Sequence, residues 1–431
     1  MLRLLRRASL LACLPLALSA QAASLDAASY GYPLSNPFEA TISGTPPALR
    51  PALPADEDIE QADYRLNMNA ERAKRLPDIF WNGSSLPYRL ARQAGPAPLI
   101  FIIAGTGAQY SSGTPEFLKK LFYAAGYHVV QLSSPTSYDF ITAASTSATP
   151  GISSEDAEDL YRVMEAIKAQ HSKLPVTAYH LTGYSLGALN AAFVSQLDEQ
   201  RKSFNFKRVL MLNPPVDLLT SVGNLDRLSQ VVLNLHGQPA SFDLIFDKLS
   251  RYFKDKGRIE VNEALIHDLQ NSAQRVDTPA MASLIGSAFR FTVADIVFTS
   301  DLINQRGLIS PVQQPFNYGT ELVPFFKKAA TCNFRCYAEQ QLLPMWQAKN
   351  GGGSLQQLNQ QVSLGALQSY LQNSSKIAVM TNADDLILGP GDLSFLRRTF
   401  GQRLTVYPLG GHCGNLNYRV NSDAMLEFFR G

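Results

Sequence analysis

Two hydrophobic rhythms interleave along the middle of this chain. Short apolar runs such as Pro98-Leu99-Ile100-Phe101-Ile102-Ile103 read as strands buried on both faces of a parallel sheet, and His128 to Leu132 reads as another strand. Between them come amphipathic stretches. Pro115 to Ala125 places Phe117, Leu118, Leu121 and Phe122 on one face. Ser154 to Gln170 carries Leu160, Val163, Met164 and Ile167 as a stripe, with acids in its first turn and Lys168 near its end. Val176 to Leu181 is strand-like, Ala188 to Val194 is helix-like, and Arg208 to Leu212 is strand-like again. Strand alternating with helix predicts an α/β chain whose sheet is mostly parallel and covered by helices on both faces. Two strand-like runs in 62–93, around the turn signal of Trp81-Asn82-Gly83-Ser84, predict an antiparallel start to that sheet. The alternation stops between 216 and 374, a stretch far longer than a connection needs and largely helical in pattern, notably over Ala280–Ile303 and Ser354–Tyr370. Core strands resume at Lys376–Met380 and Leu404–Leu409.

Residues 181–190, Leu-Thr-Gly-Tyr-Ser-Leu-Gly-Ala-Leu-Asn, hold one G-x-S-x-G between a predicted strand and a predicted helix. On such a turn the Ser185 hydroxyl projects outward. Gly183 and Gly187 remove side chains that would clash, and the helix N-terminus aims backbone N–H groups at any anion forming beside the serine. A serine hydroxyl needs a base, and the base needs an acid. The chain has six histidines. His128 and His180 lie in predicted strands, His171 near a helix end, and His236 and His267 in the long helical stretch without a motif. His412 follows a strand and Gly410-Gly411, on a loop that can reach across the top of a sheet. Asp384 and Asp385 follow another strand, and adjacent carboxylates there call for a cationic or hydrogen-bonding partner.

The order Ser185, then Asp384 or Asp385, then His412 resembles the α/β-hydrolase superfamily of serine hydrolases, over about 95–215 and 375–431. The resemblance implies an α/β-hydrolase fold, with a core from 61–215 and 375–431 and an inserted, mainly helical cap over 216–374. It also implies roles. Ser185 is the nucleophile, His412 the base and Asp385 the acid, if Asn382 takes the place of the glycine in the family's G-x-x-D turn. Asp384 is the alternative acid and Asp217 a fallback one strand earlier. The loop Ala104-Gly105-Thr106-Gly107-Ala108 stands where the family often carries His-Gly-X, so the amides of Thr106 and Leu186 are the expected oxyanion hole. This loop lacks both a G-K-S/T ending and a full G-x-G-x-x-G, which argues against a phosphate cradle.

The first 22 residues read as a signal peptide: Arg3, Arg6 and Arg7, an apolar run from Ala8 to Leu18, and Ala20-Gln21-Ala22 as a cleavage site. The run is too short for a transmembrane anchor. The predicted product is exported, to the periplasm or beyond, with Arg6-Arg7 leaving the twin-arginine route open. Loss of this leader takes the net charge from +2 to −1, which argues against nucleic acid as a partner. Residues 23–60, with Pro46, Pro47, Pro51 and Pro54, read as an extended arm. Export implies an oxidising compartment, where Cys332 and Cys336 are expected to pair and Cys413 to stay free. No second Cys/His pair offers zinc spacing, so neither metal nor cofactor is expected. The substrate is expected to be a small-molecule or lipid-like ester. A peptidase or thioesterase on the same fold is an alternative, as is a non-catalytic envelope binding protein on a hydrolase scaffold.

Overall fold

The computed structural model describes residues 23–24, 26–236 and 278–431. The predicted signal peptide and part of the predicted cap, 237–277, lie outside the described residues.

Among the described residues nine strands form one mixed sheet: β1 (Ala23–Ser24), β2 (Gln61–Leu66), β3 (Leu86–Ala91), β4 (Ala97–Ile103), β5 (His128–Leu132), β6 (Val176–Tyr184), β7 (Arg208–Leu212), β8 (Ile377–Asn382) and β9 (Leu404–Tyr407). Their spatial order is β1-β9-β8-β7-β6-β4-β5-β3-β2. β3 runs antiparallel to both β2 and β5, and every other pairing is parallel. The unbroken apolar runs follow from burial on two sides. Leu99, Phe101 and Ile103 of β4 enter one core, with Val209 and Met211 of β7. Ile100 and Ile102 enter the core on the opposite face, with Leu210 and Leu212. Successive side chains point to opposite faces, so a strand in this position needs an apolar residue everywhere.

Helices Ser153–Gln170 and Leu186–Arg201 cover the first face through Leu160, Val163, Met164, Leu189 and Phe193. Helices Gly113–Ala124 and Arg419–Arg430 cover the second through Leu118, Phe122, Met425 and Phe429. The predicted antiparallel start is present, with β2 and β3 in register from Gln61↔Ala91 to Leu66↔Leu86. A helical turn at Ala70–Ala73 and a tight turn at Asp78–Phe80 stand between them in place of a short hairpin.

Between β7 and β8 the chain leaves the sheet. Helix Leu218–His236 and the long helix Thr278–Asn304 pack on each other. The most apolar window within Met281–Asn304 has a mean hydropathy of 1.5, high enough by length and composition to cross a membrane, and 61% of that window is buried. Val293, Ile296, Val297 and Phe298 supply a third core together with Phe316, Phe334 and Trp346. Most of the segment's described aromatic residues are thus spent on this core. The helix expected over Ser354–Tyr370 is broken into Leu355–Val362, a tight turn at Leu364–Leu367 and Gln368–Asn373. The break is a docking point: Ser363 is extended, its Oγ accepts from Leu218 N at 2.9 Å, and Leu364 N donates to Val216 O at 3.0 Å.

The stretch from 23 to 60 departs from the extended arm. β1 pairs with β9 at the sheet edge, and helices form at Ala27–Tyr30 and Pro37–Ser43. Tyr30 and Tyr32 are buried and anchor the segment. Tyr30 stacks on Tyr407, and its edge meets Tyr418. Two tyrosines bury enough ring area to fix a chain whose prolines alone suggest only extension.

Candidate active site

β4, β6 and β8 end on the same edge of the sheet, where Ile103 is paired with Gly183 and Tyr184 with Leu212. In an open α/β sheet this carboxyl edge is where ligands bind. Ser185 caps the helix Leu186–Arg201 with φ 54° and ψ −128°, a conformation that costs a non-glycine residue about 1–3 kcal/mol. The surroundings hold it there. Its N–H donates to Leu212 O at 2.9 Å. A Cβ at Gly183 would fall 2.2 Å from Gly187 O, and one at Gly187 would fall 2.2 Å from Ile103 O. Both glycines of the motif are therefore required by close backbone approach.

Three of the predicted site residues come together. Ser185 Oγ lies 2.9 Å from His412 Nε2. His412 Nδ1 lies 2.9 Å from Asp385 Oδ1 and 3.2 Å from its Oδ2. A carboxylate only accepts, so Nδ1 carries the proton and Nε2 is left as the acceptor for the serine hydroxyl. Asp385 also accepts from Asn213 Nδ2 at 2.8 Å and from Ile387 N at 3.1 Å. All three residues are buried. Burial works against the charged form of His412. The Asp385 carboxylate and the neighbouring Cys413 outweigh it and hold the imidazole pKa well above its ordinary value. Cys413 is free, and its Sγ lies 3.8 Å from His412 Nε2.

The two other candidate acids are elsewhere. Asp384 accepts from Gly411 N at 2.9 Å and Gly410 N at 3.2 Å. Asp217 accepts from Thr220 N at 2.8 Å and Asn359 Nδ2 at 2.7 Å. The first braces the histidine loop and the second starts a helix. Asn382 carries no glycine-like backbone. Its buried side chain donates to Gly411 O at 2.7 Å and exchanges bonds with Asn415 at 2.9 and 2.6 Å. Thr41 Oγ1 accepts from His412 N at 2.9 Å while donating to Pro37 O. The backbone around His412 is thus clamped by Asp384, Asn382 and Thr41. These positioning roles for Asn382 and Thr41, and that of Asn213, carry no motif, since a lone Asn or Thr at such positions looks like any loop residue.

The loop after β4 passes beside the serine. A Cβ at Gly105 would lie 3.1 Å from Ser185 Cβ. Gly107 N donates to Thr136 Oγ1 at 2.8 Å, which pins the loop to the segment following β5. Leu186 is the first residue of its helix, where an N–H has no acceptor within the helix. Cys332 and Cys336 form a disulfide.

A mostly parallel sheet with one antiparallel strand, helices on both faces and a strained serine between β6 and its helix define the α/β-hydrolase fold. No family model and no curated protein matches this chain. Solved structures do. The rPPE esterase, in mutant form, is similar with a TM-score of 0.42 and 14% identity, over 87% of this chain and 83% of that one. A Pyrococcus furiosus esterase gives a TM-score of 0.41 and 9% identity, over 89% and 96%. The Pyrococcus horikoshii acylaminoacyl peptidase gives 0.41 and 12%, over 86% of this chain and 41% of that longer one.

Proposed function

We propose that this chain is an exported serine hydrolase that cleaves carboxylesters through Ser185, His412 and Asp385. The observation that carries the reading is the unbroken hydrogen-bond chain from Ser185 Oγ through both nitrogens of His412 to Asp385. Ser185 Oγ attacks the carbonyl carbon as its proton passes to His412 Nε2. The negative charge on the carbonyl oxygen is met by the N–H groups of Thr106 and Leu186. Collapse of the tetrahedral species breaks the ester C–O bond, and the departing alkoxide takes the proton from Nε2. Water then attacks the acyl-serine carbonyl, losing a proton to the same nitrogen. A second collapse releases the carboxylic acid and returns the proton to Oγ. Asp385 holds the imidazole in its tautomer and faces the imidazolium present between transfers.

Export is supported by the basic, apolar and A-x-A order of the first 22 residues and by the Cys332–Cys336 disulfide. The test is turnover of para-nitrophenyl esters of increasing acyl length by the mature protein, against Ser185→Ala. Hydrolysis that vanishes in the variant supports the reading. A folded wild type that turns over no ester, thioester or peptide amide contradicts it.

A further inference from the structure

The long apolar helix Thr278–Asn304 carries two carboxylates that the proposed mechanism does not use, and among the described residues only Asp301 has partners, accepting from Leu308 N and Ile309 N. Asp295 follows Thr292 by three residues, so the two side chains share a helix face. That face rests on the candidate oxyanion loop, since a Cβ added to Gly107 would lie 2.3 Å from Thr292 Cγ2. The same helix packs on the helix Tyr138–Ala143 that follows β5, close enough for the charge of Asp295 to act on Tyr138 and that of Asp139 to act on Asp295. Asp139 is fully satisfied, accepting from Ser133 Oγ, Ser137 Oγ and its neighbour's N–H. Asp295 has no hydrogen bond and no ion pair among the described residues, and no lysine or arginine among them acts on it. It keeps part of its surface accessible. Burial, and then the like charge of Asp139, push its carboxyl up to about 7.

A half-buried carboxylate with no partner among the described residues, beside a second carboxylate, is costly to maintain. Asparagine or leucine would relieve that cost with no loss to the helix. A cation arriving from outside would also relieve it. We infer that Asp295 is a specificity-determining residue, which receives a cationic nitrogen of the substrate beside the oxyanion loop. The esters favoured by this site would then carry an ammonium or quaternary ammonium group, on the acyl or the alcohol side. This rests on the hydrolase reading above.

Two matched pairs of substrates separate the sides. For the acyl side, they are the para-nitrophenyl esters of ω-aminocaproate and of caproate. For the alcohol side, they are caproylcholine and its neutral carbon isostere. Wild type should favour the cationic member of at least one pair by about 10- to 100-fold in kcat/KM. Asp295→Asn should bring that ratio near one, and Asp295→Glu should keep part of it. The neutral member of each pair is the internal control for folding. Equal rates within both pairs in wild type overturn the inference. So does a preference that survives Asp295→Asn, or a variant that slows both members alike. Calorimetric binding of the cationic and neutral esters to Ser185→Ala needs no turnover. Cation-selective, Asp295-dependent binding without any wild-type hydrolysis would sink the hydrolase reading and keep the inference. Hydrolysis with no selectivity in rate or binding would do the reverse, and neither binding nor hydrolysis would sink both.

Discussion

Asp385→Asn and Asp384→Asn form an informative pair, because the residues are adjacent and only one touches His412. In the proposed cycle the imidazole becomes a cation in each tetrahedral step, and Asp385 faces that cation at 2.9 and 3.2 Å. Taking the charge centres as about 4 Å apart at an effective dielectric near 20, the pair is worth about 4 kcal/mol. Asparagine keeps the shape and loses the charge, so kcat should fall by about a thousandfold. Asp384 instead accepts two backbone amides from Gly410 and Gly411. Its asparagine variant keeps one acceptor oxygen, and the expected loss is about 1–2 kcal/mol of stability. With the loop still held by Asn382 and Thr41, kcat should stay within about tenfold of wild type. Initial rates on one activated ester, together with urea unfolding of each variant, measure both quantities. The reasoning is refuted if Asp384→Asn abolishes turnover in a folded protein while Asp385→Asn retains it.

Other consequences follow from the same geometry. The base must be neutral, and His412 is held above its ordinary pKa, so kcat/KM should climb with pH along a limb that lies above about 6.5. Cys413→Ala removes one of the groups that raise it, and the limb should move to lower pH; an unmoved pH–rate profile would contradict the part given to Cys413. Ser185→Gly relieves the positive φ, so it should be more stable than Ser185→Ala by about 1 kcal/mol while both are inactive, as read by urea unfolding. Asn382→Ala leaves Gly411 O and Asn415 Oδ1 without their donor in the interior, and unfolding should show a loss of about 2–3 kcal/mol.

The β/α alternation and the serine turn were legible because both are written in periodicity. A strand with apolar residues at every position admits only a two-sided core, and the pair Gly183 and Gly187 marks backbone contacts that a Cβ would break. The identity of the residue touching His412 was half legible. Adjacent aspartates after one strand look alike in sequence, and the structure separates them by which atoms they meet, Asp385 facing the imidazole and Asp384 the loop amides. The role of 23–60 was hidden, because prolines dominate its composition while Tyr30, Tyr32 and Thr41 do the docking. Asp295 was hidden for a related reason: an acid in an apolar helix looks like its solvent side until the neighbouring elements are in place.

The central claim is that Ser185 is an activated nucleophile. Exposure of the mature protein to a fluorophosphonate, read by intact mass beside Ser185→Ala and His412→Ala, tests it most directly. The account predicts one adduct on wild type and none on either variant. A folded wild type that takes up no label, or one labelled equally after Ser185→Ala, would contradict it.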